Sequence, residues 1–104
     1  MTPIPPKLRQ EMAEDIFYKQ CCITGKTDEK IEWHHAYRFA GKNVQEKWCI
    51  LPLAKSVHEN ITYYQEQCEH IMLNRADEAT LRKYSKATDL IRKRDYLNKK
   101  YNGL

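Results

Sequence analysis

Residues 21–59 read CCITGKTDEKIEWHHAYRFAGKNVQEKWCILPLAKSVHE, and their pattern decides the fold. Three of the four histidines and three of the four cysteines lie within them. Residues 30–37, KIEWHHAY, alternate with the period of a strand. Ile31, Trp33, His35 and Tyr37 share one face; Lys30, Glu32, His34 and Ala36 share the other. A regular strand therefore sends His34 and His35 to opposite sides, and a twist or bulge at its end lets both reach one site. RFAGKNVQEK (38–47) is a loop containing Gly41 and Asn43, and WCILPL (48–53) predicts a second short strand ended by Pro52. From about Lys55 the period becomes helical: Val57, Ile61, Tyr64, Cys68 and Ile71 form one stripe. His58 and Thr62 flank that stripe near the helix start. Two strands and a helix with imidazoles at their junctions can hold one metal ion.

Moving outward, CITGKTD (22–28) is a turn in which Gly25 permits positive φ. Upstream, MTPIPP is an extended lead-in, and Leu8, Met12 and Ile16 mark a packing helix over residues 6–19. Downstream, Asn74 to Asp77 breaks the pattern, and Asp77 can cap the next helix. That last helix is expected to run from about 78 to 101, with Leu81, Tyr84, Thr88 and Ile91 on one side and Leu90, Leu97 and Tyr101 extending it. Acidic residues open it and basic residues close it, as the helix dipole favours. The expectation is a single α+β domain over residues 1–104, with a hairpin-helix core at 21–74, an N-terminal helix and a long basic C-terminal helix.

Composition narrows the class. The chain has 104 residues, 41% apolar and 31% charged, which suits an ordinary soluble domain and is too apolar for disorder. It has no apolar run long enough to span a membrane and no signal-peptide pattern, so no membrane partner is expected and the cytoplasm is the default location. The four cysteines include no CxxC pair, so buried thiols or isolated ligands are the readings left. Cys68 lies on the apolar stripe and reads as an inert thiol; Trp33 and Trp48 read as core. The net charge of +4 is uneven: residues 82–104 carry eight Lys or Arg against Asp89 and Asp95. A basic tail on a near-neutral body points to a polyanion, most simply nucleic acid, against the plain alternative of a solvated helix face.

These residues resemble the HNH nuclease family, whose core is a ββα-metal module. In that family a strand carries an acidic residue or histidine followed directly by a catalytic histidine, and His34-His35 matches this. A second strand opens with asparagine in a run like N-[LI]-L-P-L, and a histidine follows nine residues after that asparagine. Cys49-Ile50-Leu51-Pro52-Leu53 matches the run, and His58 stands nine residues after Cys49. Cys21-Cys22-Ile23-Thr24-Gly25 is similar to the family's cysteine turn.

The resemblance covers roughly residues 21–62 and implies roles residue by residue. His35 becomes the general base that activates water for phosphodiester hydrolysis; His34 and His58 become ligands of one divalent ion, with Mg, Mn, Ni and Zn as candidates. Apart from the resemblance, Glu32 reads either as a residue that orients a histidine or as part of a solvated face. The sequence departs from the pattern in three respects. Cys49 replaces the asparagine that braces the loop of the catalytic histidine, so the brace weakens or Cys49 takes another role such as metal ligation; Asn43 is a substitute brace in the wrong position. Thr62 stands where a further ligand is common. Thr24, Ala54 and Val57 stand where structural-zinc cysteines often occur, so no structural zinc is expected.

The implied function is a metal-dependent HNH-type endonuclease acting on DNA, with Lys83, Arg92, Lys93, Arg94, Lys99 and Lys100 contacting phosphates. The alternative is a degenerate HNH-like module that binds nucleic acid or a protein without cutting. A homodimer through the helices is open to either.

Overall fold

The structure, a computed structural model, describes residues 4–85 and 89–101. It is a mixed α+β arrangement with two small antiparallel sheets among helices. In chain order its elements are α1 (Pro6–Glu14), β1 (Ile31–His35), β2 (Arg38–Phe39), β3 (Lys42–Asn43), β4 (Ile50–Ala54), α2 (Lys55–Glu59), α3 (Ile61–Arg75), α4 (Glu78–Tyr84) and α5 (Leu90–Tyr101). Single 3-10 turns occupy Ile16–Lys19 and Lys47–Cys49. Among the described residues no helix is long and apolar enough to cross a membrane.

β1 and β4 pair antiparallel, with His34 opposite Leu51 and His35 opposite Ile50. β4 is buried along its whole length because both of its faces are covered. Ile50 packs with Met12 and Tyr18 of the N-terminal segment, and Trp33 lies against that cluster. Leu51 and Leu53 face the larger core with Val57, Cys68, Leu73 and Leu81. This explains why the stretch reads as a continuous apolar run rather than an alternation.

The second strand starts later than the sequence suggests. Trp48 and Cys49 lie in a 3-10 turn, bent there because the Glu46 carboxylate accepts from Trp48 Nε1 at 2.9 Å and the Glu46 carbonyl accepts from Cys49 N at 3.3 Å. Pro52 does not end the strand. It sits mid-strand opposite Trp33, and its carbonyl turns outward to accept from Cys22 N at 2.9 Å. At that position the missing N–H removes no bond from the ladder.

Three helical expectations are also corrected. The N-terminal helix ends at Glu14, because the Asp15 side chain accepts from Phe17 N and starts a 3-10 turn; Ile16, expected in the packed stripe, is 83% exposed. The helix from Lys55 breaks at Asn60, whose side chain donates to Ser56 O at 2.8 Å and competes with the helix ladder. His58 thus rides on a short helix of its own. The long C-terminal helix expected over 78–101 is two helices. The first stops at Ser85, whose hydroxyl donates to Leu81 O and accepts from Leu90 N; the second is capped by Asp89, which accepts from Arg92 N at 3.0 Å. Thr88, placed on the stripe, lies outside the described residues.

The short sheet of β2 and β3 turns through Ala40 and Gly41, at φ 53° and 80°. Gly41 holds that conformation without cost, while Ala40 carries a Cβ in the left-handed region, worth about 1 kcal/mol of strain. Asparagine tolerates this region and keeps the unfolded chain no more flexible. Ala40→Asn should therefore raise the thermal midpoint by roughly 4 °C in a circular-dichroism melt; an unchanged or lower midpoint would show that the turn carries no strain.

Candidate catalytic and metal-binding site

The site forms where β1 ends beside α2. Glu32 and His34 share a strand face, and His58 comes to meet them from α2. The rings of His34 and His58 lie 5.1 Å apart at 61°. His58 Nδ1–H donates to Glu32 Oε1 at 2.8 Å, which leaves Nε2 available. This bond is the main reason the Glu32 carboxyl sits below its usual range. A carboxylate on the far nitrogen of an imidazole fixes its tautomer and orients it as a ligand. Burial, helped by the neighbouring His58 and His35, pushes His34 down to about 4, so its ring is an unprotonated donor at neutral pH.

His34 and His35 are on opposite faces by the pleat, yet both border one open groove of about 360 Å³, with Arg38, Gln65, Cys68 and Glu69. They are the last two residues of the strand. His35 Nε2 meets Gln45 Oε1 at 3.0 Å. With Gln45 accepting, Nε2 carries the proton and the free lone pair is on Nδ1.

Gln45 was not foreseen, and the loop around it is fixed on both sides. Val44 N donates to Tyr37 O at 3.1 Å. The Cys49 thiol, fully buried, lies 3.5 Å from the carbonyls of both Val44 and Glu46. Glu46 also accepts from Trp48 Nε1 and from the Tyr84 hydroxyl. Burial pushes Cys49 up to about 12, so it is a neutral S–H donor rather than a thiolate ligand. Cys49 therefore holds the loop, and Gln45 on that loop holds His35. Asn43, the substitute considered from sequence, is in β3 opposite Arg38. Gln45 lies in a loop, so periodicity had no signal for it.

The other expected residues scatter. Thr62 is exposed on α3, past the Asn60 break, and among the described residues no hydrogen bond joins it to the histidines. Four of the six basic candidates already have carboxylate partners. Lys93 pairs with Glu69 at 2.5 Å and Lys100 with Glu66 at 2.6 Å, which ties α5 to α3. Arg94 lies between Glu78 and Asp95, and Lys83 is 3.7 Å from Glu46. Arg92 and Lys99 are exposed and have no ion pair among the described residues. His70 is half-buried, stacked on Tyr101 and bonded to Asn98 at 3.1 Å.

Among the described residues no group of three or more His, Cys, Asp or Glu side chains is arranged to hold a metal ion. The donor set is two imidazoles, one oriented by a carboxylate and one kept unprotonated by burial. Two such nitrogens could hold one divalent transition-metal ion. Comparison of the chain with family models, curated proteins and solved structures gives no match.

The His34 shift has a consequence for folding. The unfolded chain takes up a proton near 6.5 and the folded one only near 4, so the unfolded state binds more protons between those values. This contribution to stability is whole above 6.5 and is lost as pH falls toward 4. In urea titrations of metal-free protein, the midpoint should drop across that window, and His34→Gln should flatten the drop; equal slopes in both proteins would contradict it.

Proposed function

We propose that this chain is a metal-dependent endonuclease of the HNH type that hydrolyses phosphodiester bonds in DNA, with β1, β4 and α2 as its ββα-metal core. The observation that carries this reading is the meeting of Glu32, His34 and His58, with His34 and its neighbour His35 both bordering one open groove. A general base, a pair of nitrogen ligands and an accessible cleft are what water-driven phosphodiester hydrolysis requires.

In this mechanism Gln45 Oε1 accepts from His35 Nε2–H and holds the ring. His35 Nδ1 takes a proton from a water as its oxygen attacks phosphorus, and the opposite bridging P–O bond breaks. His34 and His58 would hold a divalent ion, which supplies neutralisation of phosphate and leaving-oxygen charge. Glu32 holds the His58 ring through Nδ1 and so leaves Nε2 for such an ion. Arg38, at the border of the groove, supplies positive charge for the phosphate. Mn, Ni, Zn and Mg are the metals to try, and nitrogen ligation favours the first three.

The second reading, a module of the same type that binds nucleic acid or a protein without cutting, draws on Thr62. The family resemblance calls for a ligand at that position, and here the residue is an exposed threonine.

Plasmid cleavage with each metal added separately separates the two readings. Wild type should nick or linearise the plasmid, and His35→Ala at matched purity should be slower by at least about 100-fold. No cleavage under any metal would leave the binding module as the reading. A calorimetric titration with Mn or Zn tests the ligands directly: Glu32→Gln should weaken metal affinity by about 10- to 100-fold while the protein stays folded. An unchanged affinity would remove Glu32 from the site.

A further inference from the structure

A second groove, of about 420 Å³, adjoins the one that holds His34 and His35. Arg38 and Glu69 border both, so the two are neighbouring compartments of one cleft. The walls of the second are aromatic. Tyr84 stands edge-on to Tyr37 and to Phe39, with ring centroids 5.8 and 5.1 Å apart at 74° and 76°. The β2–β3 turn carries Phe39 into this wall, and Lys93 closes the rim through its pair with Glu69.

The lining selects a ligand by its chemistry. Aromatic and aliphatic walls favour a flat heterocycle, which can contact rings through its face or its edge. The Glu69 carboxylate repels a phosphate but accepts from an exocyclic amine. Arg38 and Lys93 donate. A nucleobase edge presents both donors and acceptors, as this rim does. Arg38 is exposed and lines both compartments, and its guanidinium donates to Gly41 O at 2.7 Å. That border is where the phosphate joining a base in one groove to a bond in the other has to pass. A base inside a duplex stays stacked with its edge paired and does not enter a side groove.

We propose that the aromatic groove takes an unpaired nucleobase of a DNA strand next to the bond cut at His35, so that the preferred substrate is single-stranded or locally opened DNA. The cutting half of this statement rests on the nuclease reading; the binding half does not. Supercoiled plasmids contain opened segments, so plasmid cleavage is consistent with it.

The test uses the whole chain in chelator, where no cleavage occurs, and a short labelled DNA in three forms: single strand, duplex, and single strand with abasic sites. Fluorescence anisotropy should give about tenfold tighter binding of the intact single strand than of either other form. Phe39→Leu keeps the apolar volume and removes the ring, and it should abolish most of that preference without changing duplex binding. Equal affinity for all three forms, or an equal loss on all three in Phe39→Leu, overturns the proposal. A readout on the unaltered chain avoids any folding effect of the substitution: 2-aminopurine within the single strand should change its emission on binding, and unchanged emission at saturation overturns the proposal. Cleavage run alongside separates the two claims. A single-strand preference with no cutting under any metal retains the groove and removes the nuclease. Cutting with no single-strand preference retains the nuclease and removes the groove.

Discussion

The pairing of β1 with β4 sets every distance in the candidate site. Two strands of five residues hold each other in one register, His34 against Leu51 and His35 against Ile50. A slip of one residue would exchange the two faces of β1. Glu32 and His34 would turn toward Met12 and Tyr18, and Trp33 would turn toward α2. Burial of β4 on both sides opposes this. Ile50 has a place only in the N-terminal cluster, and Leu51 and Leu53 only in the larger core. The histidines are thus positioned by the apolar residues paired with them across the sheet.

The sequence carried the local half of this arrangement. The alternation in KIEWHHAY was readable because β1 is half-buried, and period two marks such a strand directly. The β4 run was readable as a strand, but its start was not, since the bend at Trp48 and Cys49 depends on bonds to Glu46. The break between α4 and α5 was hidden for a related reason. The apolar period continues across it, and Ser85 and Asp89 are cap residues of a kind also found on exposed helix faces. Gln45 could not be read at all. Its place depends on Cys49 behind it and on Tyr84, which approaches Glu46 from a helix 38 residues further along the chain.

The thiol at position 49 braces the loop that carries Gln45. A cysteine S–H is a weak donor compared with an amide, and here it reaches two carbonyls at 3.5 Å rather than making one short bond. The loop is then secured by Glu46, which binds both Trp48 and Tyr84. The brace is spread over several modest contacts, and the side chain that touches His35 is a neighbour of the bracing residues instead of the brace itself.

The basic surface of α5 reads differently once its partners are seen. Lys93 and Lys100 serve to dock α5 on α3, through Glu69 and Glu66. A polyanion arriving at this face meets few uncommitted charges, and each further contact requires phosphate to displace a carboxylate already in place. Few counterions are released on such a surface, so the hold on any one stretch of backbone is shallow. If the proposed DNA substrate binds here, a shallow hold would shorten residence: the chain would visit many positions along a strand and stop where something other than charge detains it.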